Sequence, residues 1–129
     1  MRSPEATVIA GIYPTLPPVE AMSMGSMGSV GASLTGDEMD RLYAYVGVPV
    51  EWRADLKAIA WCESQWRFYA VGDSGNSLGG HQLWHGWALA GEDLMDPVTN
   101  TWVAMRVREI RGRFGGPGGW ACADRMGIS

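Results

Sequence analysis

The chain has 129 residues, 47% of them hydrophobic, and a formal net charge of -4. This length fits one domain with a tail rather than two domains, and the acidic balance disfavours nucleic acid as the main partner. No apolar run approaches the roughly 20 residues that a membrane-spanning helix needs. We also expect no secretion signal, because prolines at positions 14, 17 and 18 interrupt the apolar stretch near the start of the chain.

Residues 1–33 differ in composition from the rest of the chain. The run from Met22 to Ser29 contains nothing but Met, Ser and Gly, and Pro17-Pro18 precedes it. Methionines separated by Gly and Ser suit packing into the irregular apolar grooves of a partner. The sequence therefore predicts a low-complexity tail or docking arm over residues 1–33 and a folded domain over residues 34–129.

Two helices are expected at the start of the folded domain. The first covers residues 35–46, because Thr35 and Glu38 have the spacing of a capping box and Gly47 is a typical helix stop. The second covers residues 49–64. Its apolar residues recur with helical periodicity and form one stripe: Trp52, Leu56, Ile59 and Ala60.

The second half of the domain begins with turn-forming residues. Residues 66–83 are rich in Gly, Asp, Ser and Asn and predict a short, irregular hairpin, followed by a brief helix from Trp84 to Ala90. Asp96-Pro97 predicts the start of a long, largely buried helix that runs to about Phe114 and ends at the glycines of residues 115–119. Four arginines cluster here, and a solvated helix face is favoured over a binding patch as their interpretation: Arg106, Arg108, Arg111 and Arg113.

Glu63 is the strongest candidate for chemistry. It follows Leu56 by seven positions and Ile59 by four, and at 100° per residue these side chains point the same way. Glu63 should thus lie on the buried face, in the last helical turn, and both surroundings disfavour an ionised carboxylate. A protonated carboxyl group can donate to the departing oxygen in glycosidic cleavage, and Ser77 and Gln82 in the following loop could bind sugar hydroxyls. From periodicity alone, a glutamate that ends the helix and faces water is an equal alternative.

The two cysteines, Cys62 and Cys122, allow one disulfide. It would close about 60 residues and stabilise the fold by roughly 4 kcal/mol; two buried free thiols are the alternative. We expect no metal or cofactor, because zinc sites need closely spaced Cys or His ligands and His81 and His85 are the two histidines. A nucleophilic cysteine with a histidine base is a weaker alternative, since buried thiols are usually inert.

The tryptophans divide into two groups by position. Trp52 and Trp102 fall on apolar stripes and are expected in the core. The other group lies near predicted loops, where indole rings could stack on sugars: Trp84, Trp87 and Trp120. For any single member of this second group, core packing is the more favoured alternative.

Several short motifs, in order, resemble the lysozyme-like superfamily, and in particular its resuscitation-promoting factor and lytic transglycosylase domains. Over roughly residues 50–125, the matching segments are Leu56 to Ser64 with Glu63, Gly72 to Ser77, Gly79-Gly80-His81-Gln82, Leu94 to Pro97 with Asn100, and Trp120-Ala121-Cys122. His81 departs from the family pattern, because an apolar residue is usual there. A His81 that faces the cleft could bind substrate or perturb the acid, whereas a buried one needs a partner.

The resemblance implies a mainly α, lysozyme-like α+β fold, with a short irregular hairpin beside the catalytic helix. It implies that Glu63 is the general acid, that Ser77 and Gln82 line the cleft, and that Cys62 and Cys122 form a disulfide. The implied substrate is the peptidoglycan glycan strand, which alternates N-acetylglucosamine and N-acetylmuramic acid.

Two cleavage mechanisms are compatible with this resemblance. A lytic transglycosylase uses one carboxyl group as acid and then as base, and the 6-hydroxyl of the substrate closes an anhydro ring. A hydrolytic muramidase adds a second carboxylate, for which Asp73 is the candidate. The closer match to transglycosylases favours the first mechanism.

The delivery of such an enzyme poses a separate question. A disulfide suits an oxidising compartment, although no secretion signal is expected. A phage particle would reconcile these features, so the sequence predicts a virion-associated protein whose residues 1–33 dock on a tail or capsid protein. A catalytically inactive structural or glycan-binding component of the virion is the alternative.

Overall fold

The computed structural model describes residues 33–129, which form a mainly α domain with about 54% helix and a small antiparallel sheet. The predicted tail or docking arm over residues 1–33 therefore lies, except for Ser33, outside the described residues. Within residues 33–129, each helix is too short or too polar to cross a lipid bilayer.

The first two helices begin and end close to the predicted positions. Helix α1 spans Gly36–Val46, and Thr35 and Glu38 complete the predicted capping box. The chain turns at Gly47, which has a left-handed backbone with φ of 89°. Helix α2 spans Val50–Ser64 with Pro49 at its N-cap. Its expected apolar stripe is buried at Leu56, Ile59 and Ala60.

The hairpin region forms a three-stranded antiparallel sheet in the order β1-β2-β3. The strands are Val71–Gly72, Ser77–Leu78 and Leu83–Trp84, with Val71 opposite Leu78 and Ser77 opposite Trp84. Short 3-10 turns at Asp73–Gly75 and His85–Trp87 flank it. The second turn replaces the helix predicted from Trp84 to Ala90, because the backbone is already extended at Ala88.

The last long helix, α3, spans Pro97–Arg111, with the Asp96 carboxylate accepting from the Thr99 amide as expected of an N-cap. It ends before the predicted Phe114, because Gly112 adopts a left-handed conformation with φ of 75°. A final short helix, α4, spans Ala121–Arg125. The core lies where α1, α2 and α3 meet, under the sheet and α4.

The arginine cluster is not the solvated face that the sequence predicted. Arg106 is buried and forms a two-point ion pair with Glu92, at 2.7 Å for each contact. Arg108 packs against the rings of Trp52 and Phe114. The guanidinium of Arg111 donates to four backbone carbonyls, those of Arg113, Phe114, Gly115 and Pro117. Arg111 therefore organises the glycine-rich segment after α3, Arg106 is a core residue, and Arg113 alone of the four is exposed.

Candidate active site

Glu63 lies in the last turn of α2, two residues before the chain leaves the helix and turns towards the sheet. Its side chain is half-buried rather than fully buried. The Glu63 Oε2 atom accepts a hydrogen bond of 3.3 Å from the backbone N–H of Cys122, in the first turn of α4. This contact joins the carboxyl group at the end of α2 to the backbone of α4.

The disulfide implied by the family resemblance is present and is adjacent to the candidate acid. Cys62 and Cys122 are bonded, with Cα atoms 6.0 Å apart and a sequence separation of 60. It joins the last turn of α2 to α4, and it brings the Cys122 amide next to Glu63. The cross-link thus fixes the backbone donor and the carboxyl group relative to each other.

Left-handed backbone conformations cluster in the segment after Glu63. Within residues 33–129, the non-glycine residues with positive φ are Gln65, Trp66, Asp73, Ser74 and Gln82, with φ between 47° and 61°. Each such residue costs on the order of 1 kcal/mol or more and persists only where its surroundings enforce it. Strained residues of this kind concentrate at functional sites, and here all five lie between α2 and the third strand.

Gln82 and Ser64 hold the turn between β2 and β3 against the end of α2. The Gln82 side-chain amide donates to the carbonyls of Ala70 and Gly79 at 3.1 and 2.9 Å. The Ser64 hydroxyl donates to the Gly80 carbonyl at 2.6 Å. Gln82, predicted to line the cleft, is therefore buried and uses its amide group internally. Ser64 was not singled out from the sequence, because its role depends on a turn 16 residues away.

Gly79 and Gly80, the Gly-Gly pair of the matched motif, leave no room for a side chain. A Cβ atom at Gly79 would lie 2.2 Å from Asn100 Nδ2, and one at Gly80 would lie 2.5 Å from Phe68 Cζ. Both distances are far below van der Waals contact, so glycine is required for this turn to approach α3 and the core. The pair thus lets the turn between β2 and β3 pack against Asn100 of α3 and against Phe68.

Asp73, in the first 3-10 turn, and Ser77, in β2, lie within hydrogen-bonding distance of each other. The Ser77 hydroxyl donates to Asp73 Oδ2 at 2.5 Å. Asp73 is exposed, whereas Ser77 is buried. Ser77, predicted to bind sugar, is therefore better described as a residue that orients the Asp73 carboxylate.

Two of the three tryptophans proposed for sugar stacking are core residues, which corrects that prediction. Trp87 is 2% exposed and Trp120 is 0% exposed, so their rings have no face open to a sugar. The Trp120 indole N–H donates to the His81 carbonyl at 2.7 Å, deep inside the domain. Trp84 is partly exposed, and its ring lies 5.1 Å from that of His85.

Other aromatic side chains, which were not predicted to stack on sugars, are exposed instead. Tyr69 is 41% exposed and lies in the segment that connects α2 to β1. Trp61 is 51% exposed and packs edge-on against Trp66 at 4.8 Å. Trp61 is two residues before Glu63, which places it on the opposite side of the helix. Of the two, Tyr69 lies in the segment that joins Glu63 to the sheet.

His81 is buried and has partners, which answers the question raised by its departure from the family pattern. Its Nε2 lies 2.8 Å from the Tyr43 hydroxyl, and its Nδ1 lies 2.7 Å from Asn100 Oδ1. Because that amide oxygen can only accept, Nδ1 carries the proton and Nε2 accepts from Tyr43. Burial lowers the pKa of His81 from 6.5 to about 4, although the hydrogen bond with Asn100 opposes this shift. His81 is therefore neutral near pH 7 and belongs to the core.

Among residues 33–129, no three His, Cys, Asp or Glu side chains are grouped so that they could hold a metal ion. Two cavities lie elsewhere on the domain. One lies against α3 and the start of α2, and the other lies between the first turns of α2, the end of α3 and the last residues of the chain. Glu63 lines neither of these two cavities.

Comparison with known proteins adds no relative. No protein-family model matches the chain, and it has no match among curated proteins or solved structures. The resemblance to lysozyme-like domains accordingly rests on the sequence motifs described above.

Proposed function

We propose that this domain cleaves the glycan strands of peptidoglycan and that Glu63 is the general acid. The observation that carries the proposal is the position of this carboxyl group. It is half-buried in the last turn of α2, bonded to the Cys122 amide, and followed at once by the strained segment and the small sheet. The order of helix, acid and hairpin agrees with the motif order of the lysozyme-like resemblance.

The proposed chemistry needs one carboxyl group in two protonation states. Glu63 donates its proton to the glycosidic oxygen as the bond to N-acetylmuramic acid breaks. The resulting carboxylate then accepts the proton of the 6-hydroxyl of the same sugar, whose oxygen closes the anhydro ring. The Cys122 amide can hold the carboxylate in place between these steps, because a backbone donor bonds to the ionised form.

The direct test replaces Glu63 by Gln, which keeps the size of the side chain and removes its acidity. We expect the rate of peptidoglycan solubilisation to fall by about 10²- to 10⁴-fold, the usual contribution of general acid–base catalysis. The matched control is Glu109→Gln, an exposed change on α3. Equal clearing of a peptidoglycan gel by wild type and Glu63→Gln would refute catalysis by Glu63. A wild type that does not clear at all would favour the non-catalytic, glycan-binding alternative.

A hydrolytic mechanism is the second candidate, and the Asp73–Ser77 hydrogen bond favours it. The bond orients an exposed carboxylate on a strained turn, as a second catalytic group would require. Mass spectrometry of the digested glycan separates the two mechanisms. Anhydro-muramic ends support transglycosylation, whereas reducing muramic acid ends that disappear in Asp73→Asn support hydrolysis.

Virion association remains part of this proposal. Residues 1–33 would dock on a phage tail or capsid protein, through methionines spaced by Gly and Ser. The test is detection of the chain in purified particles, and its loss when residues 22–29 are deleted. Absence from purified particles would leave a released, lysis-type enzyme instead.

A further inference from the structure

A second, larger cavity lies away from Glu63, where the start of α2 meets the end of α3 and the last residues of the chain. Its volume is about 490 Å³, which falls within the range of small-ligand pockets. Its polar walls carry two cations, Arg108 and Arg113, and two anions, Glu51 and Asp55. The chemistry of these four side chains suggests a ligand with charges of both signs.

Arg108 is the unusual member of this set. Its guanidinium carbon lies 4.8 Å from the Trp52 ring and 4.9 Å from the Phe114 ring, which are nearly perpendicular to each other. Its Nε is buried and has no hydrogen-bond partner in the described part of the chain. The ion pairs there join Lys57 to Asp40 and Arg106 to Glu92. Arg108 thus lies between two rings and forms no ion pair within 4.0 Å among residues 33–129, although Glu51 and Asp55 line the same cavity.

The contrast with Arg106, two residues earlier on α3, shows what Arg108 lacks. Arg106 lies on the same helix and is buried, and its charge is compensated by the two carboxylate oxygens of Glu92. An arginine that is fixed in orientation and lacks such an acceptor is suited to bind a carboxylate from outside. Since the rings of Trp52 and Phe114 already contact this guanidinium, they are less available to stack on a sugar.

The walls around Arg108 are fixed by hydrogen bonds before any ligand arrives. Arg111 donates to the carbonyls of Phe114 and Gly115 on one side. The Phe114 amide donates to the main-chain oxygen of Ser129 at 2.7 Å, and the Ile128 amide donates to the Ala123 carbonyl at 2.8 Å. A preformed wall reduces the ordering that binding would otherwise require.

We propose that this cavity binds a short zwitterionic peptide, with its carboxylate on Arg108 and Arg113 and its ammonium group facing Glu51 and Asp55. The stem peptide of peptidoglycan has this chemistry, and that choice of peptide rests on the proposed function. Such a site would hold the peptide branch of the wall polymer while the glycan strand lies at Glu63.

The test uses the full chain labelled with ¹⁵N and the free tetrapeptide L-Ala-γ-D-Glu-L-Lys-D-Ala. We expect saturable shifts of the Trp52 indole N–H and of the Gly112 and Gly127 amides, which line the cavity. Amidation of the peptide carboxylates should weaken binding about tenfold or more, because it removes the group that Arg108 recognises. The absence of shifts at these positions in the wild type would overturn the proposal.

Replacing each arginine of the cavity tests which of them binds the peptide carboxylate. Arg108→Gln and Arg113→Gln should each weaken the peptide about tenfold, and Arg113 is exposed, so its replacement leaves the packing intact. Arg125→Gln, an exposed change in α4 outside the cavity, is the matched control and should bind as the wild type does. If the Arg108→Gln variant and the Arg113→Gln variant both bind the peptide as the wild type does, the assignment is wrong.

One further experiment separates this proposal from catalysis by Glu63, and another tests the choice of peptide. Glu63→Gln should bind the tetrapeptide normally even when it has lost activity, so each proposal can fail alone. Tetra-L-alanine should bind at least tenfold more weakly than the stem tetrapeptide. Equal binding of the two peptides would overturn the assignment to the peptidoglycan stem.

Discussion

The domain contains two polar regions that differ in how far their side chains are exposed to solvent. Around His81, the buried side chains of Tyr43 and Asn100 and the indole of Trp120 form a closed network within the core. At the junction of α2 and the sheet, Glu63 is half-buried and Asp73 is exposed, on a backbone with several left-handed residues. A buried polar residue whose partners are internal, such as His81, thus has a structural role, whereas the candidates for chemistry are the residues that solvent can still reach.

The largest expected effect on stability concerns the other buried polar contact, between Arg106 and Glu92. Glu92→Gln removes the negative charge and leaves a buried cation without its counterion. Removing one partner of a buried pair costs about 3–5 kcal/mol. Urea unfolding of the variant should show this loss, whereas Glu109→Gln on the exposed face should change stability by less than about 0.5 kcal/mol. A Glu92→Gln variant as stable as wild type would mean that the pair contributes specificity rather than stability.

The His81 network should make the fold sensitive to acid. The pKa of His81 is about 4 in the folded domain and 6.5 in its ordinary state, so the unfolded chain binds a proton first as the pH falls. The stabilisation is fully present above pH 6.5 and is lost between about 6.5 and 4, with a total near 3 kcal/mol. Tyr43 stays protonated throughout, because burial, reinforced by Asp40, raises its pKa.

The measurement is the free energy of unfolding at several values of pH between 7 and 4, for wild type and for His81→Gln. The variant retains a hydrogen-bonding side chain that does not titrate, so the difference between the two curves isolates His81 from the carboxylates. Parallel curves over this range would show that His81 does not carry the acid sensitivity.

These contacts also show which features of the fold a single sequence could reveal. The capping box of Thr35 and Glu38 and the start of α3 at Asp96 were predicted correctly, because both are formed by residues three positions apart. The disulfide between Cys62 and Cys122, expected from the family resemblance, is confirmed.

The errors have a common physical cause. Trp120 was a candidate for sugar stacking because a loop precedes it, with core packing as the favoured alternative, and its indole N–H bonds to the carbonyl of His81, 39 positions away in the sequence. Gln82 was assigned to sugar binding, although its amide closes the turn from Ala70 to Gly79. Periodicity and turn composition carry no information about such distant partners. The position of Glu63 at the end of α2 was predicted, whereas its bond to Cys122 depends on the arrival of α4.

A smaller effect is expected inside the closed network. Tyr43→Phe keeps the ring, which lies 5.8 Å from that of His81, and removes the hydroxyl. Because His81 Nε2 then lacks its donor in a buried site, we expect a loss of about 1–3 kcal/mol. Thermal unfolding of this variant at pH 7 checks the prediction. A matched change on the surface, Tyr69→Phe, should have little effect on stability, since Tyr69 is 41% exposed.

The smallest effect on stability, and the sharpest contrast between the two regions, is expected at Tyr69. This side chain is 41% exposed in the segment between Glu63 and the sheet, so Tyr69→Ala should change the free energy of unfolding by less than about 0.5 kcal/mol. If the exposed ring supports a sugar, the same variant should raise KM for soluble glycan strands several-fold, because aromatic contacts contribute about 0.5–1.5 kcal/mol. Tyr45→Ala on α1 is the control for the loss of an exposed ring. A KM that is unchanged in Tyr69→Ala would place sugar binding elsewhere, and a large loss of stability would assign Tyr69 to the structural region instead.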